Sequence, residues 1–215
     1  MKLVVLGASG RTGRWVSRIA AERGHRVRAV VRDGSEGKVE TADEVVTGDV
    51  LDAAVISRAF DGQDAVVSTL GLNRAGLNPW SRLLSPPDLV TRVMTSIAAV
   101  CSSPGSPRVV WMSAGGAGMS LDSVTGPVSM LIRAGNVGVA YRDLDEAERV
   151  MAASAGAIAA RPVTLLNGAT ERPAAPVPRY SLLSMVRRCA VARWMVGAAD
   201  GSIPVEDGPI LLGTG

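Results

Sequence analysis

Among its 215 residues the chain has one histidine, two cysteines, two tyrosines and one phenylalanine, and lysine stands only at Lys2 and Lys38. With aromatic residues at 3%, any core must be built from valine, alanine, leucine and isoleucine. Cys101 and Cys189 show neither metal-ligand nor redox spacing, so they read as buried free thiols and no metal site is expected. His25 falls in the turn before the second expected strand, which gives it no catalytic role. No apolar run reaches the length of a membrane span. No signal peptide precedes the first strand, so the expected location is cytoplasmic with no membrane partner. The basic residues are scattered, which argues against nucleic acid as a partner. The net charge of +3 suits a phosphorylated small ligand instead. There is no internal repeat and no low-complexity segment, and the length fits one domain, 1–215, with a single large core.

What the chain does have is a regular alternation of apolar and amphipathic runs. Strands are expected at Lys2–Gly7, Arg26–Val31, Glu44–Thr47, Ala65–Leu70, Arg108–Ser113, Ile158–Pro162 and Ile210–Leu212. Helices are expected at Gly13–Arg23, Ala53–Phe60, Asp88–Val100, Tyr141–Ala155 and Leu182–Ala198. Strands separated by helices of that size make βαβ units and a parallel sheet. The fold class is therefore α/β: a single-domain Rossmann fold, doubly wound, mostly parallel, with helices on both faces. Right-handed crossovers favour the strand order 3-2-1-4-5-6. Three long segments break the rhythm at 72–87, 115–138 and 167–180. Each leaves the carboxyl edge of the sheet, where such folds bind ligands, and together they are expected to form the substrate pocket.

The first strand runs into Gly7-Ala-Ser-Gly10-Arg-Thr-Gly13, and a helix follows. Gly7 permits the tight turn, Gly10 a close approach to a pyrophosphate, and Gly13 close packing of helix on sheet. Backbone N–H groups at the helix start then hold phosphate, aided by the helix dipole. Gly7, Ser9, Gly10, Arg11, Thr12 and Gly13 are thus the expected phosphate loop of a dinucleotide site. The second strand ends at Val31-Arg32-Asp33. An arginine at that place accommodates the 2′-phosphate of NADP, whereas an acid there would bind the ribose hydroxyl of NAD. Arg32, with Arg11 closing from the other side, favours NADP (NADPH); Asp33, one position on, keeps NAD as the lesser alternative.

Further along stand Gly48-Asp49, Val67-Ser-Thr-Leu-Gly71, Val110-Trp-Met-Ser113, Arg161-Pro162 and Leu211-Leu-Gly213. In this order the chain resembles the atypical short-chain dehydrogenase/reductases, specifically the NmrA-like, biliverdin-reductase-B and flavin-reductase-like members. The resemblance spans nearly the whole sequence. It implies that Asp49 and Val50 lie beside the adenine, that Thr69, Leu70 and Gly71 line the cofactor, and that Pro162, Val163 and Thr164 flank the nicotinamide. Asp49 has a second reading, as the cap of the helix starting near Ala53.

Ser113 and Tyr141 are the candidate catalytic residues. In the short-chain reductases a serine at the end of strand five bonds the substrate carbonyl beside a Tyr-x-x-x-Lys pair. Here Asp145 stands four residues after Tyr141, and the interval from Ser113 is longer than usual. Lysine lowers the tyrosine pKa so that it can protonate an alkoxide, and without it simple ketone reduction lacks its acid. Family members without that triad reduce flavins, quinones or tetrapyrroles. Hydride then enters a conjugated system, charge spreads over many atoms, and solvent supplies the proton. Met112, Trp80, Trp111, Met119 and Met130 are candidate apolar walls, with a core role favoured for Trp111, and Trp15 and Trp194 read as packing residues.

The expected function is thus NADPH-dependent reduction of a quinone, flavin or polyketide-like aromatic. One alternative is a non-catalytic, NADP-binding redox sensor of the NmrA type. Another is an NAD-dependent epimerase or dehydratase, which would ordinarily keep the Tyr-x-x-x-Lys pair. The substrate and the oligomeric state are left open.

Overall fold

The computed structural model describes residues 1–76, 78, 80–103, 105–118, 135–154, 157–181 and 183–214. Along the chain, β1 (Lys2–Leu6), α1 (Gly13–Glu22), β2 (Arg26–Val31), β3 (Glu44–Thr47), α2 (Ala53–Phe60), β4 (Ala65–Ser68), α3 (Leu89–Val100) and β5 (Arg108–Met112) come first. Then follow α4 (Gly135–Met151), β6 (Ala157–Pro162), β7 (Thr164–Leu166), β8 (Ala174–Pro176), β9 (Met185–Arg187), α5 (Arg188–Asp200) and β10 (Gly208–Thr214).

The central strands carry apolar residues at odd and even positions alike, as a sheet covered on both faces requires. Leu3 and Val5 of β1 face one core, where they meet Val16 and Ile19 of α1 and Trp194 and Met195 of α5. Val4 and Leu6 face the other, with Ile56 and Phe60 of α2, Met94 and Ile97 of α3, and Trp111 of β5. Trp111 is 1% exposed, so its expected core role holds. The eight-stranded sheet runs β3-β2-β1-β4-β5-β6-β10-β8. The first six positions match the expected order 3-2-1-4-5-6 and are parallel. The chain is thus a Rossmann-like α/β domain with a mostly parallel sheet between helix layers. Beyond β6, β10 adds a further parallel strand and β8 closes the edge in antiparallel.

Three expectations need correction. The helix expected over Leu182–Ala198 begins only at Arg188 and runs to Asp200, where Gly201 ends it in a left-handed conformation. Before it, Met185–Arg187 extends as β9 and pairs in parallel with β7. Val186 is buried in that pairing, so tertiary burial overrides the helical pattern. The helix expected at Tyr141–Ala155 starts earlier, at Gly135, so the segment 115–138 is not loop to its end. Its glycines and Asn136 read as breakers, but the Asn136 side chain donates to the Ser81 carbonyl at 2.7 Å and the following turns of the helix pack on α3, which outweighs the poor propensity. Lastly, the proline-rich segment 167–180 holds β8. An edge strand tolerates Pro176 because it can face away from the ladder.

The junction of α3 and α4 explains part of this. Asp143 of α4 is buried, and its carboxylate accepts the N–H groups of Val90 and Thr91 at 2.9 Å each. The preceding residue, Asp88, makes no side-chain cap. One helix therefore supplies the other's N-terminal acceptor, which satisfies orphan donors and complements the dipole.

Candidate functional site

At the carboxyl edge of β1 the chain turns at Gly7, whose φ of +74° is left-handed. The Gly10 N–H donates back to the Gly7 carbonyl at 2.9 Å, which sets the loop. A Cβ on Gly13 would overlap the Gly7 carbonyl oxygen and lie 2.8 Å from Ala8 Cα, so α1 touches the loop backbone there. A Cβ on Gly10 would meet only the Gly7 oxygen, at 3.0 Å, leaving the space above the loop open. Ser9 is half-buried, Arg11 exposed and Thr12 buried. Thr12 precedes the helix without a side-chain cap, and no acidic residue stands in the first turn of α1. Thr69, just past β4, donates its hydroxyl to the Leu6 carbonyl at 3.1 Å and so braces the loop from the next strand. Leu70 is half-buried beside it and Gly71 is exposed.

Arg32 is exposed immediately beyond β2, with Asp33 exposed after it. Asp49 is exposed and accepts the Leu51 N–H at 2.9 Å, forming a local turn. It does not cap α2; Asp52 does, accepting the Ala54 N–H at 2.9 Å. Val50 is buried beneath the turn. On the other flank of α1, Arg11, Arg14, Trp15 and Arg18 face Asn167 and Gly168 across an open groove of about 450 Å³. Arg188, at the start of α5, has its pKa lowered by burial and by Arg11 nearby. The Nε and Nη1 atoms of Arg188 are buried without a hydrogen-bond partner among the described residues. Positive charge thus gathers where the sequence places phosphate.

The second half of the edge is built around Ser113, which is 5% exposed at the end of β5. Its hydroxyl donates to Glu148 Oε1 of α4 at 2.6 Å. Arg161 of β6 donates its Nε to the same oxygen at 2.8 Å and its Nη2 to the other carboxylate oxygen. Both charged side chains are about one-tenth exposed. The Gly115 N–H bonds the Pro162 carbonyl at 2.9 Å, and the Val163 N–H bonds Leu212 at 2.9 Å. Thr164 is exposed, and its hydroxyl shares a 3.0 Å hydrogen bond with Tyr180. Pro162 is thus bonded to the segment leaving β5, while Val163 and Thr164 are held by β10 and Tyr180.

Tyr141, Asp145 and Glu148 lie at i, i+4 and i+7, one face of α4. The Tyr141 hydroxyl donates to the Gly115 carbonyl at 3.0 Å. Asp145 accepts the Gly118 N–H. Burial, reinforced by Tyr180 and Asp145, raises the Tyr141 pKa well above the usual phenol range. Gly118, at φ +55°, packs so closely on Glu148 and Arg161 that a Cβ would come within 2.6 Å of both. Three residues of one helix face therefore fasten the strand-five exit: two hold its backbone and one holds Ser113.

Glu148 belongs to no sequence motif, and Arg161 stands in the sequence only within the strand end Arg161-Pro162. The sequence sign for Glu148 is its place seven residues after Tyr141, on the same helix face. Of the expected apolar walls, Met112 is half-buried while Trp80 is 70% exposed. Met119 and Met130 lie outside the described residues. Trp15 and Trp194 pack as expected. Cys189 is buried; Cys101 is half-buried, its thiol pushed up to about 11 by burial.

The chain belongs to the NAD(P)H-binding family, whose model matches residues 7–201. Solved structures share its fold at low identity. An anaerobillin reductase from Escherichia coli O157:H7 is 20% identical, with 99% of this chain and 96% of that one covered at a TM-score of 0.76. A protein assigned as an NADH-flavin reductase from Streptococcus pneumoniae is 15% identical over all of both chains, also at 0.76. A short-chain dehydrogenase/reductase from Veillonella parvula, solved with NADP, is 14% identical, covering 99% and 94% at 0.75. Among the described residues no helix is long and apolar enough to cross a membrane.

Proposed function

We propose that the protein is an NADPH-dependent reductase that passes hydride to a flat, conjugated acceptor such as a flavin or quinone. The observation that carries this reading is the state of Tyr141. Its proton is given to the Gly115 carbonyl, its phenol is a weakened acid, and an aspartate stands where the lysine of a proton-donating pair belongs. A site without a tuned proton donor suits acceptors whose reduced form is stabilised by conjugation and protonated by solvent. The chain's own part is then to bind and align two planar rings, where positioning supplies much of the barrier reduction.

In this reading Gly7, Ser9, Gly10, Arg11, Thr12 and Gly13 hold the cofactor diphosphate, and the helix dipole of α1 adds to the attraction. Arg32 takes the 2′-phosphate, which favours NADPH over NADH. Asp49 and Val50 flank the adenine, Thr69, Leu70 and Gly71 line the cofactor, and Pro162, Val163 and Thr164 border the nicotinamide. The acceptor is assigned to segments 72–87, 115–138 and 167–180, of which residues 77, 79 and 119–134 lie outside the described ones. When bound, the cofactor supplies the hydride; Ser113 positions a ring beside it. The anaerobillin and flavin reductases that share the fold support the acceptor class. The deciding assay is anaerobic NADPH oxidation against a panel of flavins and quinones. Turnover with at least one acceptor is expected. Cofactor binding at micromolar affinity with no turnover would instead make the protein an NADP sensor.

A further inference from the structure

We infer that Ser113 meets its ligand as a hydrogen-bond acceptor, a polarity fixed by Glu148 and Arg161 acting as positioning residues. This deepens the reductase reading and rests on it for the identity of the crevice.

Arg161 donates to both carboxylate oxygens of Glu148, and a forked arginine–carboxylate pair has all its hydrogens on the arginine. Glu148 therefore has none to give, and the hydrogen in its 2.6 Å contact with Ser113 is the serine's own. A serine hydroxyl carries a single hydrogen. Once that is committed, the oxygen has only lone pairs left to offer, and donation to a carboxylate makes them better acceptors. The arrangement is held from three sides. The Ser113 N–H bonds the Ala160 carbonyl at 2.8 Å, and Gly118 packs against the Glu148–Arg161 pair. Asp145 anchors Gly118 in turn.

A serine in this state cannot polarise a carbonyl. It selects a group bearing N–H or O–H. Two sources offer that chemistry at a nicotinamide: the carboxamide N–H of the cofactor, or a ring N–H of the acceptor, such as the imide of a flavin. Removing Ser113 should therefore cost affinity for ligands with the donor and spare those without it.

The test compares two ligand pairs by equilibrium binding to the whole protein. The first pair is NADP and its 3-acetylpyridine analogue, which keeps the carbonyl and replaces the amide N–H₂ by methyl; titration calorimetry reads it. The second is lumiflavin and 3-methyl-lumiflavin, read by flavin fluorescence. Wild type should prefer the donor-bearing member of one pair by about tenfold, roughly one hydrogen bond. The pair that discriminates names the source. Ser113→Ala should bring that preference to within about twofold. Glu148→Ala removes the acceptor outright, freeing the serine proton, and should also erase most of the preference; thermal melting confirms that both variants fold. Equal affinity within both pairs overturns the inference. So does a preference that survives Ser113→Ala, or one left intact by Glu148→Ala, which would trace it to shape. Neither arm reads turnover, so an inactive protein would overturn the reductase reading while leaving this result to stand or fall alone.

Discussion

The hydroxyl of Tyr141 and the backbone carbonyl of Gly115 are joined by a 3.0 Å hydrogen bond that spans from α4 to the exit of β5. Four residues further along the helix, Asp145 accepts the N–H of Gly118. The two positions that would form a proton-donating Tyr–Lys pair are thus occupied with backbone groups. The helix face serves as a fastener for the edge of the sheet, and the third residue on it, Glu148, serves Ser113. This is why the site reads as one that orients rather than one that protonates.

The glycine loop separates folding from binding in two neighbouring positions. Gly13→Ala would force a methyl into the Gly7 carbonyl and Ala8 backbone, neither of which can yield cheaply. A loss of about 2–4 kcal/mol is expected from such overpacking, read as a lowered denaturation midpoint. Gly10→Ala meets only one oxygen at 3.0 Å, so it should melt near wild type yet bind NADP at least about tenfold more weakly. Equal stability losses in the two variants would refute the assignment of their roles.

Asp143 should matter more to α3 than the residue at that helix's own start. In Asp143→Asn one backbone donor faces an amide N–H₂, leaving a buried donor unsatisfied at a cost of about 1–3 kcal/mol. Asp88→Ala should change stability by less than about 0.5 kcal/mol, since its side chain caps nothing. Urea unfolding of the two variants checks the contrast.

Strand order was legible because each step of it is local: apolar runs of four to six residues, helices between them, and a handedness rule that leaves one arrangement. The tight glycine turn between β1 and α1 was legible for the same reason, as Gly7, Gly10 and Gly13 act within seven residues. What the sequence hid depends on distant partners. Met185–Arg187 becomes a strand because β7 lies beside it, and the first turn of α4 meets the distant segment at Ser81, whose carbonyl accepts from Asn136 at 2.7 Å. The Ser113–Glu148–Arg161 cluster draws on β5, α4 and β6, and nothing in the spacing of those residues announces it.

At the opposite edge Asp200 accepts from Arg23 at 2.9 Å and pairs with His25 at 3.0 Å, tying the end of α5 to the end of α1. Burial alone would raise its pKa, but hydrogen bonds from Ser202, His25 and Arg23 outweigh it and hold the carboxyl below the usual range. A carboxylate so depressed contributes stability that is fully present above its unfolded value near 3.8 and is lost as the pH falls toward the folded one. The stability gap between wild type and Asp200→Asn should therefore be constant from neutral pH down to about pH 5 and close below about pH 4. A gap that persists unchanged into acid would contradict this origin.

Arg32→Ala tests the cofactor choice. Loss of a charge-assisted bond to the 2′-phosphate should weaken NADPH by about 1–3 kcal/mol and leave NADH nearly unaffected. Equal losses for the two cofactors in titration calorimetry would remove Arg32 from the phosphate and leave Asp33 as the reader of the ribose.

The central claim is that no side chain of this site is an indispensable proton donor, and Tyr141→Phe measures it most directly. The variant forfeits one hydrogen bond to Gly115, a stability loss of about 1 kcal/mol. Single-turnover NADPH oxidation by an accepted flavin or quinone, with cofactor affinity measured alongside, should run within about threefold of wild type. A fall of about 10²–10⁴-fold, the range of general acid catalysis, with cofactor affinity unchanged would contradict the account and make Tyr141 the acid.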